Sequence, residues 1–186
     1  MTSLLANLDR HPFEKTVDAI AVALAGLPAE ARQVENNVRL APEFYFSWDT
    51  AQSEVSIKAT PCPPGLIQLS VTISGSPRWL SMNIGLGNCD FEPGAVLGVV
   101  MAGRCGKALE FKVFVRSVSA KTKEADTVLA SPLRLGPDQP VAVTLHTVEP
   151  EDPLATGERY HTLFLTLPRQ SFDFDLVGLR VFAIKV

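Results

Sequence analysis

The side chains best suited to acid–base work or metal ligation near neutral pH are three histidines, His11, His146 and His161. None stands in a metal-binding pair four residues apart on a helix. His146 falls on the polar side of an alternating run and reads as a surface or hydrogen-bonding residue. His161 follows Tyr160 where a strand begins, and reads as edge packing. Cys105 has Arg104 beside it and Lys107 nearby, cations that favour a thiolate. No histidine accompanies it, so it reads as an ordinary turn cysteine. In "GLGNCDF", Gly85 and Gly87 lack the third glycine and following helix of a dinucleotide site. "AGRCGKA" brings Gly103, Gly106 and Lys107 together without the spacing or hydroxyl of a phosphate loop, and reads as a hairpin. Hydrolysis or group transfer needs a nucleophile, a base and an orienting group, or a metal. No such constellation emerges, and the chain reads as no enzyme, with no cofactor.

Binding is the better expectation, and one stretch motivates it. "RWLSMNIGLGNCDF" alternates, with Leu80, Met82 and Ile84 on one face and Trp79, Ser81 and Asn83 on the other. An indole on the polar face calls for a cover. Sugar sites set flat aromatic faces against a pyranose and aim amides or guanidinium groups at its hydroxyls. Trp79 and Asn83, joined by Arg116 or His146 from other strands, would supply those parts. The competing expectation is a structural or assembly domain, associating through an N-terminal helix and the outer sheet face. Protein cover of Trp79, by that helix or by a second subunit, is favoured. Tyr45 and Trp48, in an aromatic-rich first strand, read as core.

Two kinds of element must position these residues. Residues 12–27, "PFEKTVDAIAVALAGL", place Phe13, Val17, Ile20, Leu24 and Leu27 at the spacing of an amphipathic helix, closed by Gly26 and Pro28. "PAEARQVENNVRL" adds a second helical segment. After Pro42 about nine short alternating runs follow, separated by turn clusters such as "PCPPG" and "LGPDQP". The expected organisation is an N-terminal helical segment, residues 1–41, and a β-sandwich domain, residues 42–186. Phe111, Val113, Phe172 and Phe174 face the core, while Glu110, Lys112 and Phe114 face outward. In "PVAVTLHTV", Val141, Val143 and Leu145 form the apolar side, opposite Ala142, Thr144 and His146.

The closing run "FDFDLVGLRVFAI" is an aromatic-rich strand, an aspartate, a bend and a further apolar strand. It resembles the C-terminal pattern of galactose-binding-like jelly rolls, a group that includes many carbohydrate-binding modules. That resemblance implies an antiparallel, jelly-roll-like β-sandwich and a glycan ligand. It also implies a structural calcium near Asp175. The second acidic residue usual in the group is here Leu176, and Asp173 with Asp175 reads as a solvated strand face, so no metal is expected.

Bulk composition narrows the partners. The 186 residues are 46% hydrophobic, ample for a core, and carry 17 basic and 20 acidic side chains for a net charge of −3. No basic footprint for nucleic acid or an anionic membrane appears, since Lys121 and Lys123 are offset by Glu124 and Asp126. Asp9, Glu14 and Asp18 precede the apolar run "AIAVALAGL", which lacks the basic flank of a secretion signal and the roughly 20 residues of a membrane span. Three well-separated cysteines, Cys62, Cys89 and Cys105, suit a reducing compartment. The expectation is a cytoplasmic binding or accessory module, with a glycan or a partner protein as its ligand and homo-oligomers among the options.

Overall fold

The computed structural model describes residues 11–119 and 122–185. Residues 1–10 of the N-terminal segment, Asp9 among them, and Lys121 lie outside that set. The described residues are mainly β, two antiparallel sheets packed face to face with one α-helix. Helix α1 spans Pro12–Ala25. The strands are β1 (Arg32–Val34), β2 (Arg39–Ala41), β3 (Phe44–Trp48), β4 (Ser53–Pro61), β5 (Ile67–Gly75), β6 (Leu80–Cys89), β7 (Val96–Arg104), β8 (Leu109–Ser119), β9 (Thr122–Val128), β10 (Leu133–Leu135), β11 (Val141–Thr147), β12 (Arg159–Thr166) and β13 (Phe172–Ile184). The first sheet runs β1-β4-β5-β13-β7-β11. The second runs β10-β8-β12-β6-β3-β2, with β9 also paired to β8.

Period-two alternation builds the core between the sheets. Phe44, Phe46, Leu80, Met82, Ile84, Phe111, Val113, Leu163 and Leu165 point inward from the second sheet, and Ile67, Leu69, Leu97, Val99, Phe172 and Phe174 from the first; all are buried. Phe111 and Phe174 meet across the interior with ring centroids 5.4 Å apart. Each such side chain contributes about 1.5–3 kcal/mol through burial.

Four features depart from the sequence reading. The second helical segment is absent; β1 and β2 stand there instead, one in each sheet, within the residues assigned to the helical segment. "AGRCG" is not a hairpin, because β7 and β8 belong to different sheets and the turn carries the chain between them. Strand β11 is inverted: Val141, Val143 and Leu145 are 49%, 52% and 54% exposed, while Ala142 and Thr144 are buried. It is an edge strand paired only with β7, so the packing of a sheet end, and not the larger side chains, sets its facing. Finally, α1 does not cover an outer sheet face. Its stripe of Phe13, Val17, Ile20 and Leu24 is buried against β6, β13 and β2. Phe13 lies 5.6 Å from Phe91, and His11, whose N–H donates to Glu14 Oε1 at 3.3 Å, stacks on the same ring at 4.9 Å. The helix stripe is thereby consumed inside the chain. No helix among the described residues is long and apolar enough to cross a membrane.

Candidate functional site

Strand pairing in the second sheet assembles an outward row that no local stretch of sequence contains. On the outer face Tyr45 of β3 pairs with Asn83 of β6, Asn83 with Phe164 of β12, and Phe164 with Phe114 of β8. Three half-exposed aromatic rings therefore stand nearly side by side. Phe114 and Phe164 are parallel, with centroids 4.7 Å apart and planes 7° apart. The Arg116 guanidinium lies over both, 5.8 Å and 5.3 Å from their centroids.

Polar groups occupy the rows on either side. Towards one end, Ser47 and Ser81 share a hydrogen bond of 2.9 Å, and Asn83 Nδ2 donates to Ser47 Oγ at 2.9 Å. Asn83 is fully buried, and its Oδ1 has no hydrogen-bond partner among the described residues. Towards the other, Gly85 pairs with Thr162 and Thr162 with Arg116. Arg116 donates to Asp126 at 2.7 Å and 2.8 Å and lies 3.3 Å from Glu124. Those bonds from Arg116 hold the Asp126 carboxyl below its usual range.

Beyond Gly85, the Tyr160 hydroxyl donates to the Glu43 carboxylate, which Arg39 also approaches at 3.2 Å. Burial, then the Glu43 hydrogen bond, pushes the Tyr160 hydroxyl up to about 12, and burial also raises Tyr45. Both phenols are therefore protonated donors near neutral pH. An open depression of about 500 Å³ adjoins this end, lined by Asn88, Val118, Ser119, Glu158, Arg159 and Tyr160.

The residues singled out from sequence scatter across this geometry. Asn83 and Arg116 do share the outer face, but Asn83 lies beneath its neighbours and Arg116 is engaged by two carboxylates. Trp79 stands one residue before β6 and is 45% exposed, so the expected protein cover is missing among the described residues. Its ring meets its own neighbour, the Arg78 guanidinium, at 5.1 Å. Arg78 is in turn held by the buried Asp49 at 2.8 Å. His146 belongs to the other sheet and bonds Asp152 at 2.9 Å. Asp175 accepts from Gln68 at 3.0 Å and faces the Arg104 guanidinium at 3.3 Å, a cation already in place beside it.

Two further groups differ from expectation. His161 is not edge packing. It is fully buried, with Nε2 donating to the Cys89 carbonyl at 3.0 Å and Nδ1 accepting from Ser117 at 2.9 Å. This serine–histidine contact is sealed in the core, where no substrate reaches it. Burial raises the Cys105 thiol, against the thiolate that its basic neighbours suggested.

Tyr45, read with Trp48 as core, stands partly exposed on the outer face, opposite the buried Phe44 and Phe46, while Trp48 is buried; Phe114, Phe164, Glu43 and Tyr160 were not singled out as site residues. A signal for three of them existed. Phe114 shares its strand face with Glu110 and Lys112, Phe164 with Thr162 and Thr166, and Tyr45 with Ser47. The rule that marked Trp79, an aromatic on a polar face, marks these as well.

No protein-family model and no curated protein matches the chain. Solved structures do. The Stig cyclase Fisc from Fischerella sp. TAU, crystallised with (3Z)-3-(1-methyl-2-pyrrolidinylidene)-3H-indole, superposes with a TM-score of 0.57 at 12% identity, over 91% of this chain and 96% of that one. A CBM4 structure superposes with a TM-score of 0.51 at 10% identity, over 82% and 95%. The CBM22-1 xylan-binding domain of Paenibacillus barcinonensis Xyn10C gives 0.49 at 10% identity, over 85% and 95%. This chain is a jelly-roll β-sandwich that resembles carbohydrate-binding modules in fold. The same fold also serves cyclases.

Proposed function

We propose that this chain is a binding module whose ligand is a carbohydrate, held on the outer face of the second sheet. One observation carries the reading: the register that sets Tyr45, Phe164 and Phe114 in a row, half-exposed, beside a polar depression of about 500 Å³. Apolar ring surface next to hydroxyl and amide donors is what an amphipathic pyranose requires. The fold likeness to a CBM4 structure supports it. The decisive experiment is a glycan array on the full chain, followed by calorimetric titration of any hit against Phe164→Ala. A hit whose affinity falls at least about tenfold, 1.4 kcal/mol, in the variant upholds the reading. An array without hits, or a hit indifferent to the variant, defeats it.

A second reading has its own support. A parallel phenylalanine pair under a guanidinium seats a flat aromatic ring as readily as a sugar, and the fold is shared with a cyclase crystallised with an indole compound. Under that reading the ligand is a small aromatic molecule. Titration with indole derivatives separates the two, since a glycan module leaves them unbound.

A further inference from the structure

The arrangement around Glu43 is more elaborate than an ion pair needs. Glu43 is a non-glycine residue in the left-handed region, with φ of 57°, a conformation that costs stability wherever the surroundings do not impose it. Its carbonyl accepts from the Gly85 N–H at 2.7 Å, which pins the turn between β2 and β3 onto β6. A Cβ at Gly85 would overlap both Glu43 Oε2 and the Tyr160 hydroxyl and would force that pair to shift. The missing methyl group is what lets carboxylate and phenol meet over the sheet. Arg39 holds the other carboxylate oxygen at 3.2 Å. A half-exposed ion pair of this kind contributes little stability, so stability alone does not account for a strained backbone and a cleared floor.

We propose that Glu43 is the specificity-determining acceptor of the binding face, taking two adjacent hydroxyl donors of a neutral sugar and rejecting uronates. This deepens, and rests on, the carbohydrate reading above. Each carboxylate oxygen has one donor fixed by the protein, Arg39 on Oε1 and Tyr160 on Oε2, and keeps lone-pair capacity beyond it. The Glu43 side chain is 28% exposed, within reach of a ligand entering from the depression that Tyr160 lines. Two oxygens in one plane match two neighbouring hydroxyls, and bonds to a charged acceptor are the stronger kind. The negative charge of Glu43 repels an anionic sugar; Arg159 lines the depression, and two further arginines here are already paired. Arg39 is engaged with Glu43, and Arg116 with Asp126 and Glu124. Tyr160 positions the carboxylate, and its raised proton affinity keeps it a donor.

The test is calorimetric titration of the full chain and of Glu43→Gln with cellohexaose, xylohexaose and a hexagalacturonate. The expected wild-type result is binding of a neutral hexasaccharide at least about tenfold tighter than the uronate. Glu43→Gln keeps the side-chain shape; it should lose about tenfold on the neutral sugar and narrow the neutral-to-uronate ratio. A purely structural role would leave that ratio unmoved. Tyr160→Phe removes only the hydroxyl and should shift the ratio in the same direction, which keeps the test alive if Glu43→Gln fails to fold. Equal neutral-sugar affinity in wild type and Glu43→Gln, or a uronate bound as tightly as the neutral sugars, overturns the inference while leaving the carbohydrate reading intact. A wild-type chain that binds none of the three overturns the inference, and one that also gives no hit on the glycan array overturns both.

Discussion

Phe114 and Phe164 sit on adjacent strands with parallel rings 4.7 Å apart, and both face away from the core. Phe111, three residues from Phe114 on the same strand, faces inward and is fully buried against Phe174. The two faces of β8 should therefore respond differently to truncation. Phe111→Ala should cost about 3–5 kcal/mol, the penalty for a large core deletion. Phe164→Ala should cost about 1–2 kcal/mol, chiefly the lost ring pair. Denaturation midpoints of the two variants check this; a Phe164→Ala penalty equal to that of Phe111→Ala would place the ring in the interior.

Strand β11 offers a sharper check on packing. Thr144 is buried and its Oγ1 has no partner among the described residues, so the hydroxyl carries a desolvation cost without a bond in return. Thr144→Val, nearly equal in shape, should stabilise the fold by about 1 kcal/mol. Leu145→Ser, on the exposed side, should change stability by no more than about 0.5 kcal/mol. If chemical denaturation shows the reverse order, β11 faces the other way.

These two strands also show how far the sequence can be read. In β8, five inward residues alternate with Glu110, Lys112, Phe114, Arg116 and Val118, and burial leaves one solution for the facing. In β11 the apolar side was the larger one, yet at this sheet edge, with β10 of the other sheet packed against it, Ala142 and Thr144 turn inward. The helix stripe of Phe13, Val17, Ile20 and Leu24 was legible from period alone; its docking site against β6 and β13 was not. The candidate site was hardest. Tyr45 and Phe164 are 119 positions apart, and only the order β3-β6-β12 makes them neighbours across Asn83. Glu43 gave no sign at all, since its role depends on an empty position at Gly85 and a turn conformation.

Acid should weaken the fold in two separate windows. Burial lowers both His161 and His11 from 6.5. Above 6.5 folded and unfolded rings are alike neutral. As pH falls through that value the unfolded chain gains protons that the folded chain resists, so stability declines towards acid. Asp49, brought down to about 2 first by its bond from Arg78 and then by the Ala51 N–H, is shifted in the same direction and acts in a lower window. Its contribution is complete above about 4 and vanishes only as pH falls towards 2. Urea midpoints should therefore fall between about pH 7.5 and about pH 5.5, and His161→Gln should flatten part of that slope. A midpoint that stays constant across this range would mean the ring is not held neutral in the core.

A carbohydrate held on the outer face of the second sheet leaves its footprint on that face of the sandwich. The most direct measurement is amide and aromatic NMR chemical-shift mapping as the glycan hit, or cellohexaose, is titrated in. The largest changes should fall on Glu43, Tyr45, Gly85, Phe114, Tyr160 and Phe164, with the exposed strip Val141, Val143 and Leu145 of the first sheet unchanged. Changes confined to that strip or to Trp79, with the outer face of the second sheet silent, would contradict it.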